Sequence, residues 1–123
     1  MKLEAFAATS RPFIDGYGHG GFRIGGVEHK GPLLLLPDGA VPWPVPDAAH
    51  ITIESLAPLL GRRDIEVLLV GCGPRMTLLP KALREALRAH GIVADAMETG
   101  AACRTFNVLL SENRRVAAAL IPV

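Results

Sequence analysis

A glycine loop, Gly71-Cys72-Gly73-Pro74, follows Ile65 and the apolar run 67–70 and leads into Arg75. A strand, a glycine loop and a following helix can turn unpaired backbone N–H groups toward an anion. A second junction of the same kind spans 97–103 and carries Thr99 and Cys103, with Arg104 beside them and Asn107 one turn further on. If the two strands are neighbours, Cys72, Gly73, Arg75, Thr99, Cys103 and Arg104 fall along one rim of a sheet, where helix amino termini gather. Backbone N–H groups, the helix start after Thr99 and two guanidinium groups can together hold a phosphate or a carboxylate. The plain alternative is a tight turn for the glycines and solvated charge for the arginines.

Other chemistries are narrower. A dinucleotide fingerprint fails at its third glycine, where Met76 stands, although Glu98 could imitate the ribose-binding acid. There is no GxxxxGKS or GxxxxGKT, so no P-loop. Cys103, in the first turn of a helix beside Arg104, could be a dipole-activated nucleophile; no histidine is placed by sequence as its base, and the same position suits a buried thiol. Cys72 and Cys103 form no CxxC, and His19, His29, His50 and His90 show no ligand spacing, so neither a metal nor a cofactor is expected. Asn107 is a poor helix-interior residue that something else must compensate. With Arg104 and Ser111 it shares a helix face, as a polar strip against a loop or partner or as plain exposed surface.

The elements that position these residues follow from pattern. At 123 residues, 50% hydrophobic and 20% charged, the chain is one globular domain, and its positive mean hydropathy raises the prospect of apolar surface meeting a partner. A formal net charge of +1 without long basic runs argues against nucleic acid. The start of the chain lacks the apolar core of a secretory signal and no segment reaches the ~18 apolar residues of a membrane span, so the expected location is the cytoplasm and the chain is not membrane-spanning.

Residues 1–50 read as mostly β. Phe22-Arg23-Ile24, Gly25-Gly26 and Val27-Glu28-His29 form a two-residue hairpin. Leu33–Leu36 is a short apolar strand. Pro42, Pro44 and Pro46 alternate with Val41, Trp43 and Val45 as an edge arm that can pair only through its odd residues. Trp43 is then either an anchor on the core or a partner-binding aromatic.

Residues 51–123 alternate helix and strand. A short helix from Ile51 is interrupted by Pro58 and ends at Gly61; the run 65–70 is a strand covered on both faces. A helix starting at Pro80 places Leu79, Leu83, Ala86, Leu87 and His90 inward and pairs Lys81 with Glu85 outward. Strand 92–97, a helix capped by Thr99 and burying Ala102, Phe106, Leu109 and Leu110, and strand 116–121 complete the chain. Right-handed crossovers then make the pairing mostly parallel, with the early strands extending or covering an α/β sheet.

Met97-Glu98-Thr99 followed by Ala102-Cys103-Arg104-Thr105-Phe106-Asn107-Val108-Leu109 resembles the small domain of the mitochondrial complex I (NADH dehydrogenase) assembly factor 3 family and its bacterial homologues. Phe22-Arg23-Ile24, Trp43, 65–73, Glu112, Arg114 and 116–122 extend the likeness to nearly the whole chain. The resemblance implies a three-layer α/β fold with a central mixed sheet in a single domain, 1–123, and no assigned enzyme activity. It implies protein partners, since the eukaryotic members act as assembly factors at the inner mitochondrial membrane. The family usually has threonine where this chain has Cys72, which takes Cys72 out of any shared chemistry. The expectation is thus a non-enzymatic binding or assembly module, with Gly71, Cys72, Gly73, Pro74, Arg75, Thr99, Cys103, Arg104, Asn107 and Trp43 at its contact surface. A protein for a small anion at the same rim is the alternative, and a homodimer through an apolar edge is a further expectation.

Overall fold

The structure is a computed structural model that describes residues 12–123, so the start of the chain lies outside the described residues. Three early strands, β1 (Ile14–Gly18), β2 (Gly21–Ile24) and β3 (Val27–Lys30), form an antiparallel sheet in sequence order. The predicted hairpin is there. Ile24 pairs with Val27, and Gly25 and Gly26 have φ of 56° and 84°, the paired positive values that a two-residue turn of this twist demands.

The second sheet has five strands in the order β5 (Gly39–Pro42), β4 (Leu33–Leu36), β8 (Val116–Leu120), β6 (Val67–Gly71) and β7 (Val93–Met97). Its pairing is mixed, as the resemblance implies, but evenly so and not mostly parallel. β6 runs parallel to β7 and β8, while β4 runs antiparallel to both β5 and β8. Crossover geometry constrains only the strands joined through helices; the β4–β5 hairpin is free to present β4 to β8 in the opposite sense.

Helix α1 (Lys81–Ala89) joins β6 to β7, and α2 (Thr99–Ser111) joins β7 to β8. The chain steps outward from β6 to β7 and then back across β6 to β8. Crossovers of one hand that reverse direction put their helices on opposite faces of the sheet. The two cores show this. Leu83 and Leu87 of α1 pack with Leu34, Leu36, Leu68, Val70, Ala117 and Ala119, whereas Ala102, Phe106 and Leu110 of α2 pack with Leu33, Leu35, Leu69, Ala118 and Leu120. Because strand side chains alternate, one strand such as Leu33–Leu36 feeds both cores and all four leucines are buried, each contributing roughly 2 kcal/mol.

Several local expectations are refined. The segment after Ile51 is a 3-10 helix, Glu54–Leu59, because Pro58 lies inside it and has no N–H to continue an α-helical ladder. Thr52 and Ser55 cap it reciprocally, and Leu56 and Leu59 are buried as the spacing requires. α1 starts where Pro80 requires, and Lys81 and Glu85 lie 3.9 Å apart, but His90 is exposed beyond the last turn. The proline arm is a strand only through Pro42, after which Trp43 N–H donates to Pro32 O at 3.1 Å and Trp43 and Val45 enter the α1-side core.

The small sheet lies on the α2 face of the larger one, where Ile14, Phe22 and Ile24 meet Phe106 and Leu110. Asn107 holds it there. Its Nδ2 donates to Ile14 O and its Oδ1 accepts from Ile14 N, both at 2.9 Å, so the side-chain amide pairs with β1 as another strand would. β1 is irregular between Ile14 and Gly16 beside that contact. Replacing Asn107 by alanine should cost about 1–3 kcal/mol, since two backbone groups lose their partners. In hydrogen exchange the loss should fall on β1–β3 amides while β6 and β8 stay protected; uniform loss would mean that the two sheets are not separately cooperative.

Candidate functional site

In an open sheet with parallel strands, a ligand crevice forms where the strand order reverses, at the carboxyl ends of the strands. Here that point is the end of β6, flanked by β7 and β8. The two loops named from the sequence do converge on it. Cys72 N–H donates to Met97 O at 2.9 Å, Thr99 N–H donates to Gly73 O at 2.9 Å, and Ile121 N–H donates to Gly71 O at 2.9 Å.

Thr99 lies at the centre of this junction and is fully buried. Its hydroxyl donates to Ile121 O at 2.6 Å and accepts from Gly73 N–H at 2.8 Å. Thr99 is therefore not the helix cap expected from sequence. Glu98 is the cap, its carboxylate accepting from Ala101 N–H, which also removes it from any ribose-binding role. A carboxylate at that position neutralises the helix end that an anion would need.

The glycines serve this closure. A Cβ on Gly71 would stand 3.1 Å from Thr99 Cα and 3.0 Å from the Leu120 side chain, so any larger residue would push β6 and the start of α2 apart by a few tenths of an ångström. Gly73 has φ +99°, a conformation that strains any side-chain-bearing residue. Both N–H groups that a phosphate would require, those of Cys72 and Gly73, are taken by Met97 O and Thr99 Oγ1. These two loop N–H groups are therefore not available to an anion, and of the groups named for that role the Arg75 side chain faces outward.

The other named residues divide between inside and outside. Trp43 is 2% exposed and donates from Nε1 to Ser55 O at 2.8 Å, the anchoring role. Cys72 is buried, its Sγ directed at Thr77 O at 3.6 Å. Cys103 is buried in the α2 core, and burial pushes its thiol up to about 12, with the Arg104 charge opposing and Glu98 reinforcing the shift. Arg104 is exposed and donates to Tyr17 Oη at 3.0 Å, with Glu98 3.6 Å away. Asn107 binds β1, and Ser111 donates to its own helix at Val108 O, so the anticipated polar strip is two inter-sheet contacts and one local one. Pro74 and Arg75 are exposed, and Arg75 makes no hydrogen bond or ion pair among the described residues.

Sequence reasoning missed Tyr17 and the carbonyl of Ile121. A signal for both was present in Thr99-Gly100-Ala101-Ala102, a run too small to fill its own surroundings, against which other elements must close; Tyr17 Oη sits 2.6 Å from where a Gly100 Cβ would be. Among the described residues no group of three or more His, Cys, Asp or Glu could hold a metal ion, and no helix is long and apolar enough to cross a membrane.

A mixed five-stranded sheet with helices on opposite faces and a hydroxyl-closed switch point defines a small α/β domain whose loops are used for packing. Residues 14–121 match the family model described as protein of unknown function (DUF498/DUF598), and the chain belongs to that family. An uncharacterised protein of Rhodobacter capsulatus is 46% identical over 110 residues, covering 89% of this chain and 84% of that protein. The NADH dehydrogenase [ubiquinone] 1 alpha subcomplex assembly factor 3 of Homo sapiens is 40% identical over 123 residues, covering 99% of this chain and 67% of the relative. A Bordetella pertussis protein described as an Mth938-like domain has a solution structure with TM-score 0.81 and 34% identity, covering 99% of this chain and 92% of that one. The resemblance inferred from the 97–109 segment is thereby established across the whole chain.

The junction makes two outcomes measurable. Thr99→Val should cost roughly 2–4 kcal/mol in urea unfolding, because Gly73 N–H and Ile121 O are both left unsatisfied, while Thr99→Ser should keep most of that stability. Alkylation of Cys103, followed by peptide mass spectrometry, should accelerate about tenfold per pH unit through about pH 10 without levelling. Levelling near the ordinary thiol value of 9.0 would mean an accessible thiol. The unfolded thiol titrates near 9.0 and the folded one at about 12, so its contribution to stability is whole below the lower value and is lost as pH rises between them.

Proposed function

We propose that this chain is a non-enzymatic protein-binding module of assembly-factor type, acting in the cytoplasm of a bacterium. The observation that supports this is the 40% identity to an assembly factor along 99% of the chain. The site geometry agrees in sense: the polar atoms at the sheet's carboxyl end hold loops and strands to each other, leaving exposed side chains to meet other molecules. Within the rim named from sequence, Pro74, Arg75 and Arg104 are the outward groups. Gly71, Cys72, Gly73, Thr99, Cys103, Asn107 and Trp43 set the shape from beneath.

The test is affinity purification of the tagged chain from bacterial cells after brief crosslinking, quantified against the tag alone. The expected result is a reproducibly enriched protein whose recovery falls when Arg75 and Arg104 are both replaced by alanine. Both side chains are exposed and the only hydrogen bond lost with them is that of Arg104 to Tyr17, about 1 kcal/mol, so the melting temperature should fall by no more than several degrees while recovery is lost. No enriched protein, or recovery unaffected by the double substitution, would contradict the assignment of this rim.

A further inference from the structure

Two large apolar side chains on one short loop face outward. Met76 is 53% and Leu78 79% exposed, whereas their neighbour Leu79 is buried in the α1-side core. The loop is held at Thr77 and at Leu79. Cys72 Sγ meets Thr77 O at 3.6 Å, and Arg84 Nε of α1 donates to Leu79 O at 3.3 Å. Met76 and Leu78 are thus presented on an anchored segment, at a hydration cost that the fold itself does not recover.

The outer face of α1 continues this surface. Lys81, Arg84, Glu85 and Arg88 are all exposed there, three cations against one carboxylate. Arg75 adds a fourth cation from the loop. Lys81, Arg84 and Arg88 are spaced by three and four residues, which sets them in one stripe on the exposed side of the helix. Glu85, its carboxylate 3.9 Å from Lys81, cancels one of these four positive charges, so the surface stays net positive.

We propose that loop 74–78 and the outer face of α1 form one docking surface for an acidic segment of a protein partner, which seats an apolar side chain against Met76 and Leu78 and sets its carboxylates on Arg75, Lys81, Arg84 and Arg88. This rests on the protein-binding assignment above and specifies the partner's chemistry. Charge complementarity selects the occupant. Guanidinium groups recognise carboxylates by paired hydrogen bonds, and clustered cations of one sign disfavour a basic or neutral segment. A second copy of the chain would bring the same cations against each other. The protein-binding assignment above favours a protein segment over an anionic bilayer.

The test places a photo-crosslinking phenylalanine analogue at Leu78 and, separately, at Val27 on the exposed strand of the small sheet, in the full chain in bacterial cells. Captured peptides are sequenced by mass spectrometry. The expected capture from Leu78 is a protein segment of net negative charge. Its yield should fall about tenfold with K81E/R88E and rise with E85K, since the two variants alter the surface charge in opposite senses. Both variants should keep the parent melting temperature.

A neutral or basic segment, a second copy of this chain, or a yield indifferent to these charges would overturn the proposal. So would Leu78-dependent flotation with phosphatidylcholine vesicles containing phosphatidylglycerol, which would assign the surface to a membrane. Capture from Val27 and none from Leu78 would overturn this surface and leave the protein-binding assignment standing. Capture from neither position, with nothing enriched on purification, would remove both.

Discussion

The hydroxyl of Thr99 joins three parts of the chain that are distant in sequence. It donates to Ile121 O just past β8 and accepts from Gly73 N–H in the loop after β6, while its own backbone opens α2. A buried hydroxyl is costly without partners, and here donor and acceptor are both satisfied. The contact also decides the chemistry of the region. A switch point that elsewhere offers empty N–H groups to a ligand is closed by a side chain of the protein itself. Gly71 and Gly73 follow from that constraint, one by close approach and the other by backbone conformation.

Around this junction the two sheets are held by different means. The five-stranded sheet is stabilised by apolar burial on both faces, which is non-directional and tolerant of detail. The small sheet has one buried face, and its placement depends on the directed amide pairing between Asn107 and Ile14. Tyr17 and Arg104 add a contact at the exposed edge of the same interface. An asparagine that is unfavourable in a helix interior is thereby explained by what lies across from it, not by anything in the helix.

Much of the fold was legible because it rests on local pattern. The Gly25-Gly26 turn, the Leu33–Leu36 strand, the Pro80 start and the α2 stripe each follow from the conformational limits of one or two residues or from a period. The antiparallel entry of β4 beside β8 was not legible, since partners as distant in sequence as Leu34 and Ala119 leave no mark of their pairing on either segment. The site was legible in place and not in role. Sequence located both loops, but whether an N–H faces a ligand or a threonine hydroxyl depends on a contact between Gly73 and Thr99, 26 residues apart.

A division of labour results. Polar atoms at the carboxyl end of the sheet are used in internal closure, and the large exposed side chains on the neighbouring loop and helix are mostly apolar or cationic, with Glu85 the acidic one. Exposed Met76 and Leu78 contribute nothing to the core and lower solubility, so their place on a loop tied down by Cys72 and Arg84 makes physical sense when another surface covers them. The contacts of Thr77 with Cys72 and of Leu79 with Arg84 restrict that loop, and a segment restricted before docking loses less entropy on docking.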